Sequence, residues 1–181
     1  MRAIFLAKQL QQLEDSLRKC RAQIETLYAA RKNEAAILDS LPGAGPKLAP
    51  RLLVKLAVHS RQLPDFSAMQ CISGTSPISY QSGQMNKVYM RRNCDKGFRN
   101  ALIQLANLSR KSCTWAAVYY DTHKEKGKTH ACALRCLANK WVKIIWKMWQ
   151  SQTLYDPETH SKNQKKHGSW MFALVDTQGV D

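Results

Sequence analysis

The chain has 181 residues, 44% of them hydrophobic, with a net charge of +15 and a pI near 9.8. A chain of this length and apolar content can build one hydrophobic core, which excludes a disordered polyelectrolyte. Most of the excess charge lies between residues 41 and 150, where there are eighteen Lys and Arg but only four Asp and Glu. A basic surface of this kind favours a polyanionic partner such as DNA or RNA.

Cysteine usage and hydropathy indicate in which cellular compartment we expect the chain. The six cysteines show no disulfide spacing, the N-terminal apolar run is too short for a secretory signal, and no stretch reaches the length of a membrane span. We therefore expect a cytoplasmic protein without membrane contact. His130 and Cys132 are two residues apart and do not share a helix face, and no CxxC pair accompanies them or Cys136. We predict no metal site there and interpret the thiols as buried in helices.

Residues 1–37 carry a heptad pattern. Apolar residues recur with alternating spacings of four and three, which places them on one narrow stripe of a helix. Such a stripe cannot be buried by the helix alone, so we expect a coiled-coil dimerisation helix and a homo-oligomer. Packing of the helix on its own domain is an equally open alternative. The stripe consists of Leu6, Leu10, Leu13, Leu17, Cys20, Ile24 and Leu27.

The stretch ILDSLPGAGPKLAPRLLVKLA, residues 37–57, has the pattern of a helix-hairpin-helix motif. Gly43 and Gly45 permit positive φ and the close approach of another backbone. Pro46 suits the first turn of the second helix. The free N–H groups of that turn, with Lys47 beside them, would form a phosphate-binding site. We favour this DNA-backbone role over a plain turn between two helices because the surrounding region is so basic.

The predicted fold class is mainly α, with a helical domain over residues 38–157. Pro50 removes a helix hydrogen bond and should kink the second helix of the motif or delay its start. Residues 63–82 are predicted to form a helical turn followed by a loop. Helices with apolar stripes follow, and residues 158–181 are expected to be a disordered polar tail. At helical spacing, three tryptophans are interpreted as core residues rather than base-stacking platforms: Trp141, Trp146 and Trp149.

The stretch SPISYQSGQMNKVYMRRNC, residues 76–94, combines a small hydroxyl with several cations. Its Ser82 is either part of a polar turn beside a solvated face or a nucleophile held against a phosphate. The glycine after it would let a DNA backbone come close. The candidate nucleic-acid-binding residues of this stretch and of the helix that follows are Gly83, Lys87, Arg91, Arg92, Lys96 and Arg99.

Four stretches, in this order, resemble the IS110-type (IS110/IS116/IS902-like) insertion-sequence transposases, which are recombinases guided by a bridge RNA. The most specific part is the Gly-Thr-x-Pro…Gln-Ser-Gly block ahead of Arg-Arg-x-Cys. The resemblance implies DNA as a partner, a guide RNA as a further candidate partner, and a serine nucleophile, which is Ser82 here. The stretches are LPGAGPKLA (41–49), ISGTSPISYQSGQ (72–84), RRNCDKGFRNAL (91–102), and YYDTHKEKGKTHACALRCLANKWVKIIWKMW followed by TLYDP (119–157).

The resemblance further implies a RuvC-like domain whose four carboxylates bind Mg²⁺, preceding the coiled coil and working beside the serine. Residues 1–40 offer only carboxylates within the helical segment. We therefore expect the C-terminal half of such an enzyme, a truncated transposase with no cofactor of its own, with Mg²⁺ in the nuclease half and no activity alone. The alternatives are a non-catalytic dimeric DNA- or RNA-binding module and a coiled-coil adaptor without nucleic-acid affinity.

Overall fold

The computed structural model describes residues 2–166, which form a mainly α fold with one small sheet, as predicted. Among these residues, none of the helices combines the length and the apolar character that a membrane span requires. In chain order the elements are α1 Arg2–Ala29, α2 Lys32–Asp39, α3 Ala49–His59, α4 Phe66–Ile72, β1 Ile78–Ser82, β2 Met85–Tyr89, α5 Lys96–Ser109, α6 Thr114–Glu125, α7 His130–Ser151 and α8 Pro157–Lys166.

The hydrophobic core is built mainly from residues of the helices α2 to α7. Helix α7 is central to it, because α4, α5 and α6 all pack against this helix. Trp141 of α7 is completely buried, and its Nε1–H donates to the buried Ser109 Oγ at 2.8 Å. The polar end of this large side chain is therefore satisfied inside the core. Trp146 and Trp149 are half-buried against the same core, so the interpretation of these tryptophans as packing residues is confirmed.

The connection between α2 and α3 differs from the predicted motif in where the second helix begins. The helix starts at Ala49, so Pro50 lies in its first turn, where the missing N–H costs no helix hydrogen bond. The delay predicted from Pro50 is confirmed. Pro46 lies in the preceding turn and not in the first turn of the helix, so that part of the prediction is wrong.

Helix α1 projects from the domain with its apolar stripe exposed, and none of its residues is buried. It is held at its C-terminal end, where the Tyr28 hydroxyl lies 2.8 Å from Asp39 Oδ1 and 3.1 Å from the Ala35 carbonyl oxygen. Burial, followed by the Asp39 carboxylate, raises the pKa of Tyr28. Among residues 2–166, therefore, no part of the chain covers the stripe.

The polar tail, predicted to be disordered from residue 158, begins instead with helix α8, so the prediction of disorder is wrong as far as Lys166. Asp156 caps it, because its Oδ1 accepts from the Glu158 N–H at 2.9 Å and its Oδ2 from the Thr159 N–H at 3.2 Å. Pro157 follows as the first helical residue, a position that suits proline. Sequence reasoning missed this helix, although an aspartate followed by a proline is a typical signal for the start of a helix. The remainder of the tail, residues 167–181, lies outside the described residues.

Strands β1 and β2 form an antiparallel hairpin where the sequence predicts a loop, so that prediction is wrong. Gly83, with φ +55, begins a two-residue turn, and a glycine at this position is typical of a type II′ hairpin. The register pairs Ser82 with Met85 and Tyr80 with Lys87. All residues of both strands are exposed, so the hairpin shows none of the alternating burial by which strands are usually recognised.

Candidate nucleic-acid interface

Ser82 is the last residue of β1 and lies at the tip of the hairpin, exposed to solvent. Because side chains alternate along a strand, Ser82 shares one face of the hairpin with Tyr80 and with their cross-strand partners Met85 and Lys87. Lys87 is thus the diagonal neighbour of Ser82 on the same face. The structure brings together this hydroxyl and one of its predicted cations.

Arg91 and Arg92 lie at the other end of the hairpin. Strand β2 carries the chain about 14 Å from the tip before either arginine is reached, at about 3.4 Å per residue. Their nearness to Ser82 in sequence therefore does not place them beside the hydroxyl. Arg92 is exposed, whereas Arg91 is half-buried where the hairpin joins the helical domain.

The base of the hairpin is attached to both α4 and α5. The Asp95 N–H donates to the Ile72 carbonyl oxygen at 2.8 Å, and Arg99 Nη1 donates to the Arg91 carbonyl oxygen at 2.9 Å. Gly74 has φ +65, and a Cβ there would lie 2.5 Å from Cys94 Sγ. Glycine at this position therefore lets the two ends of the hairpin approach each other. Arg99, predicted to bind nucleic acid, serves here as an anchor.

Helix α7 supplies a third attachment. The Thr75 hydroxyl donates to Asn139 Oδ1 at 2.9 Å, and Gln70 Nε2 donates to the Asn139 carbonyl oxygen at 3.0 Å. Ser73 Oγ lies 3.1 Å from Thr75 Oγ1, and both residues are buried. Sequence reasoning missed these positioning residues, because their hydrogen bonds join positions 64 and 69 residues apart in the chain.

Asp95 precedes α5 and holds three groups at the hairpin base. Its Oδ2 lies 2.7 Å from Lys55 Nζ and 3.2 Å from His59 Nε2, and its Oδ1 accepts from the Phe98 N–H at 2.9 Å. Burial by itself would raise the pKa of Asp95, but these hydrogen bonds and the Lys55 charge hold that pKa well below its usual range. The carboxylate is committed to capping the helix and pairing with Lys55.

The described residues do not fit a magnesium site. Within residues 2–166 there is no group of three or more His, Cys, Asp and Glu side chains that could hold a metal ion. Asp65 caps α4 by accepting from the Ala68 N–H at 2.8 Å, and Asp95 is engaged as described. Both carboxylates nearest to Ser82 in sequence therefore have structural roles.

The turn before α3 lies apart from the hairpin. Gly43, with φ +85, packs on the C-terminal end of α5, since a Cβ there would lie 2.7 Å from Leu108 Cβ. The hairpin joins the other end of α5, about 18 Å away at 1.5 Å per residue. The Gly45 carbonyl oxygen accepts from the N–H groups of Leu48 and Ala49 at 2.8 and 3.0 Å. These two N–H groups are therefore already hydrogen-bonded, contrary to the prediction that they are free to bind a phosphate.

The remaining predicted cations are Lys47 and Lys96, both exposed, the first in the turn before α3 and the second in the first turn of α5. A groove of about 380 Å³ between the hairpin base and the start of α7 adds two cations that sequence reasoning missed, Lys128 and Arg135, next to Arg91. Only the fold brings Arg91 beside Lys128 and Arg135, because it lies far from both in the chain.

The groove also contains two thiols, Cys132 and Cys136. Burial raises the pKa of Cys136, although Lys128, whose Nζ lies 3.6 Å from the Cys136 Sγ, acts in the opposite direction. Cys132 and Cys136 both lie in α7 but are only half-buried, so the prediction of thiols buried in helices is right about the helix and wrong about the burial. The groove therefore has a cationic character set by lysine and arginine.

Comparison with known proteins finds a family match for the part of the chain that carries this hairpin. Residues 35–121 match the model of the transposase IS116/IS110/IS902 family. This part of the chain is therefore similar to the transposases of that family. The match extends from α2 into α6, so it includes the hairpin, the anchors on α4 and α5, and Ser82.

Two relatives extend the similarity beyond the matched domain. The chain is 26% identical over 155 residues to an uncharacterized 42 kDa protein of insertion element IS900 from Mycobacterium paratuberculosis, covering 85% of the chain and 39% of the relative. It is 26% identical over 152 residues to an uncharacterized 43.6 kDa protein of insertion element IS110 from Streptomyces coelicolor, covering 83% and 37%. The chain thus spans under two fifths of the length of either relative.

Proposed function

We propose that the chain acts in DNA transposition and that Ser82 is the nucleophile that attacks a DNA phosphate. The observation that carries this proposal is the place of Ser82 within the part of the chain that matches the transposase family, exposed at the tip of a hairpin whose base is held by three helices. A hydroxyl presented in this way can reach a phosphodiester on a large substrate, while the anchored base limits the positions it can take.

The chemistry is phosphoryl transfer. The Ser82 Oγ forms a bond to phosphorus, the bond from phosphorus to one deoxyribose oxygen breaks, and that oxygen leaves and takes up a proton. Lys87 on the same hairpin face would neutralise the phosphate. A serine hydroxyl also needs a base, and lysine and arginine are poor bases at neutral pH. We therefore propose that the RuvC-like domain implied by the family resemblance supplies the base and the metal-binding carboxylates.

A nicked or suicide DNA substrate tests the nucleophile directly. With magnesium, guide RNA and a RuvC-like domain of the family present, we expect a protein–DNA adduct on a denaturing gel. Ser82→Ala should abolish the adduct, whereas Ser79→Ala should not, because Ser79 lies on the opposite face of the same strand. An adduct that survives Ser82→Ala would overturn the choice of nucleophile, and an adduct from the chain alone would overturn the need for the second domain.

The exposed stripe on α1 supports self-association. Leu10, Leu13 and Leu17 are 62%, 61% and 54% exposed, although their spacing is that of a coiled-coil seam. We propose that a second copy of the chain covers this seam. Sedimentation of a Leu13→Asp, Leu17→Asp variant should show a smaller species than the parent chain. The matched control Gln11→Asp, Gln12→Asp adds the same charge beside the seam and should leave the oligomer intact.

The exposed seam and the basic surface also favour a second candidate function, a non-catalytic dimeric module that binds DNA or RNA. This candidate predicts that Ser82→Ala leaves both nucleic-acid binding and strand exchange unchanged. The enzyme predicts unchanged binding but no strand exchange. Gel-shift assays with duplex DNA and with structured RNA, run beside a strand-exchange assay, therefore distinguish the two functions and test RNA as a partner.

A further inference from the structure

The hairpin of β1 and β2, which carries Ser82, exposes aromatic side chains that have no role in the transposition chemistry described above. Tyr80 is 66% exposed and Tyr89 is 53% exposed, one on each strand. A two-stranded hairpin has no interior in which to bury such side chains. Exposed aromatic groups clustered on one element indicate a contact surface for a partner.

The register places one of these rings beside the hydroxyl. Tyr80 and Ser82 are two residues apart on β1, so they point to the same face with their positions about 7 Å apart along the strand. Lys87 lies directly opposite Tyr80 on β2. One hairpin face therefore presents, at adjacent positions, an aromatic ring, a cation and the hydroxyl proposed to attack phosphate.

Charge determines which kind of partner fits this face. Between Asp65 and Asp95 the chain contains no acidic residue, while the hairpin and its base carry Lys87 and two arginines. An apolar protein surface would not require these cations. A nucleotide provides both a phosphate for the lysine and a flat π-face for the tyrosine.

In a regular duplex the faces of the bases are covered by their neighbours, so a tyrosine on an exposed hairpin cannot stack on them. A base can stack on Tyr80 only when it has left the duplex stack. We propose that Tyr80 stacks on an unpaired base adjacent to the phosphate held at Ser82, so that the hairpin face recognises DNA that is locally unstacked at the reaction site. This inference rests on the proposed function and makes Tyr80 a positioning residue.

Equilibrium binding in a Ser82→Ala background tests the stacking separately from the chemistry. The probes are two DNA duplexes, one with a single unpaired 2-aminopurine and one fully paired. The Ser82→Ala chain should bind the unpaired probe more tightly and quench its fluorescence. A further Tyr80→Ala change should weaken binding to the unpaired probe roughly 5- to 100-fold and remove the quenching, with little effect on the paired duplex.

Two controls isolate the ring. Tyr80→Phe keeps an aromatic face and should retain both the preference and the quenching. Gln81 lies next to Tyr80 but on the opposite face, so adding Gln81→Ala should leave the binding of the Ser82→Ala chain unchanged. The proposal would be overturned if the Ser82→Ala chain bound both probes equally, or if the further Tyr80→Ala change left the affinity unchanged. A Tyr80→Phe variant that bound as weakly as Tyr80→Ala would overturn it as well.

The outcomes also distinguish this inference from the proposed nucleophile. If Tyr80 governs binding to unpaired DNA but no Ser82-dependent adduct forms, the stacking stands and the nucleophile fails. If the adduct forms with equal efficiency in the parent and in Tyr80→Ala, the nucleophile stands and the positioning role fails.

Discussion

Large apolar side chains occur in two regions of this molecule with opposite environments. In α5 and α7, Leu102 and Trp141 are fully buried in the helical core. On the hairpin, Tyr80 and Val88 are 66% and 64% exposed, and the leucines of α1 are exposed as well. Residues of the first kind stabilise the fold by leaving water when the chain folds, whereas those of the second kind can do so only when a partner binds. Substitutions in the two regions should therefore affect different measurements.

The largest effect on stability is expected in the core. Trp141→Ala removes the central buried ring and leaves the Ser109 hydroxyl without its donor, so the free energy of unfolding should fall by about 3–5 kcal/mol. Urea unfolding measures this change. Trp146→Ala is the matched control, since this ring on the same helix is half-buried and should cost less. Equal losses in the two variants would contradict the central place of Trp141.

A smaller effect is expected where the core meets the hairpin. Asp95→Ala removes the cap of α5 and the partner of Lys55, and should lower the free energy of unfolding by about 1–2 kcal/mol. Asp65→Ala removes a comparable cap from α4, where no ion pair is present among the described residues, and should cost about 1 kcal/mol. If Asp65→Ala cost as much as Asp95→Ala, the Lys55 and His59 contacts would contribute nothing.

The same carboxylate predicts a pH dependence. Because the pKa of Asp95 is lower in the folded than in the unfolded chain, its stabilising contribution is complete above the ordinary aspartate pKa of about 3.9. It is lost as the pH falls from there through the lowered pKa. Between about pH 4 and pH 2 the parent chain should therefore lose more stability than Asp95→Asn, as followed by urea unfolding. Parallel curves for the two proteins would argue against a lowered pKa.

The smallest effects on stability are expected on the exposed hairpin, where the effects on binding should be largest. Lys87→Glu should change the free energy of unfolding by no more than about 0.5 kcal/mol. It should nevertheless weaken DNA binding and reduce the slope of log K against log salt by about 1. Arg91→Glu, Arg92→Glu tests the hairpin base in the same way, and Lys47→Glu tests the distant turn. An unchanged slope in all three variants would place the DNA on another surface.

Local periodicity accounts for what could be predicted of the fold. The heptad spacing predicts α1, and the apolar stripes of α5 and α7, including Trp141, predict buried helices because such patterns depend on near neighbours in the chain. The hairpin was missed because both of its faces are exposed, and the short alternation of apolar and polar residues in β1 (ISYQS) does not continue in β2 (MNKVY). The anchors Thr75 and Asn139 were missed because they meet only in the folded chain.

By itself the sequence determined the mainly α class and the resemblance to a transposase family, from which Ser82 is predicted as the nucleophile, since each depends on residue types in a linear order. The tertiary structure decided which cations accompany Ser82. Lys87 shares its face because the strands pair in one register, and a slip by one residue would move that lysine to the other face. Arg91 and Arg92 stay at the base because an extended strand carries the chain away from the tip.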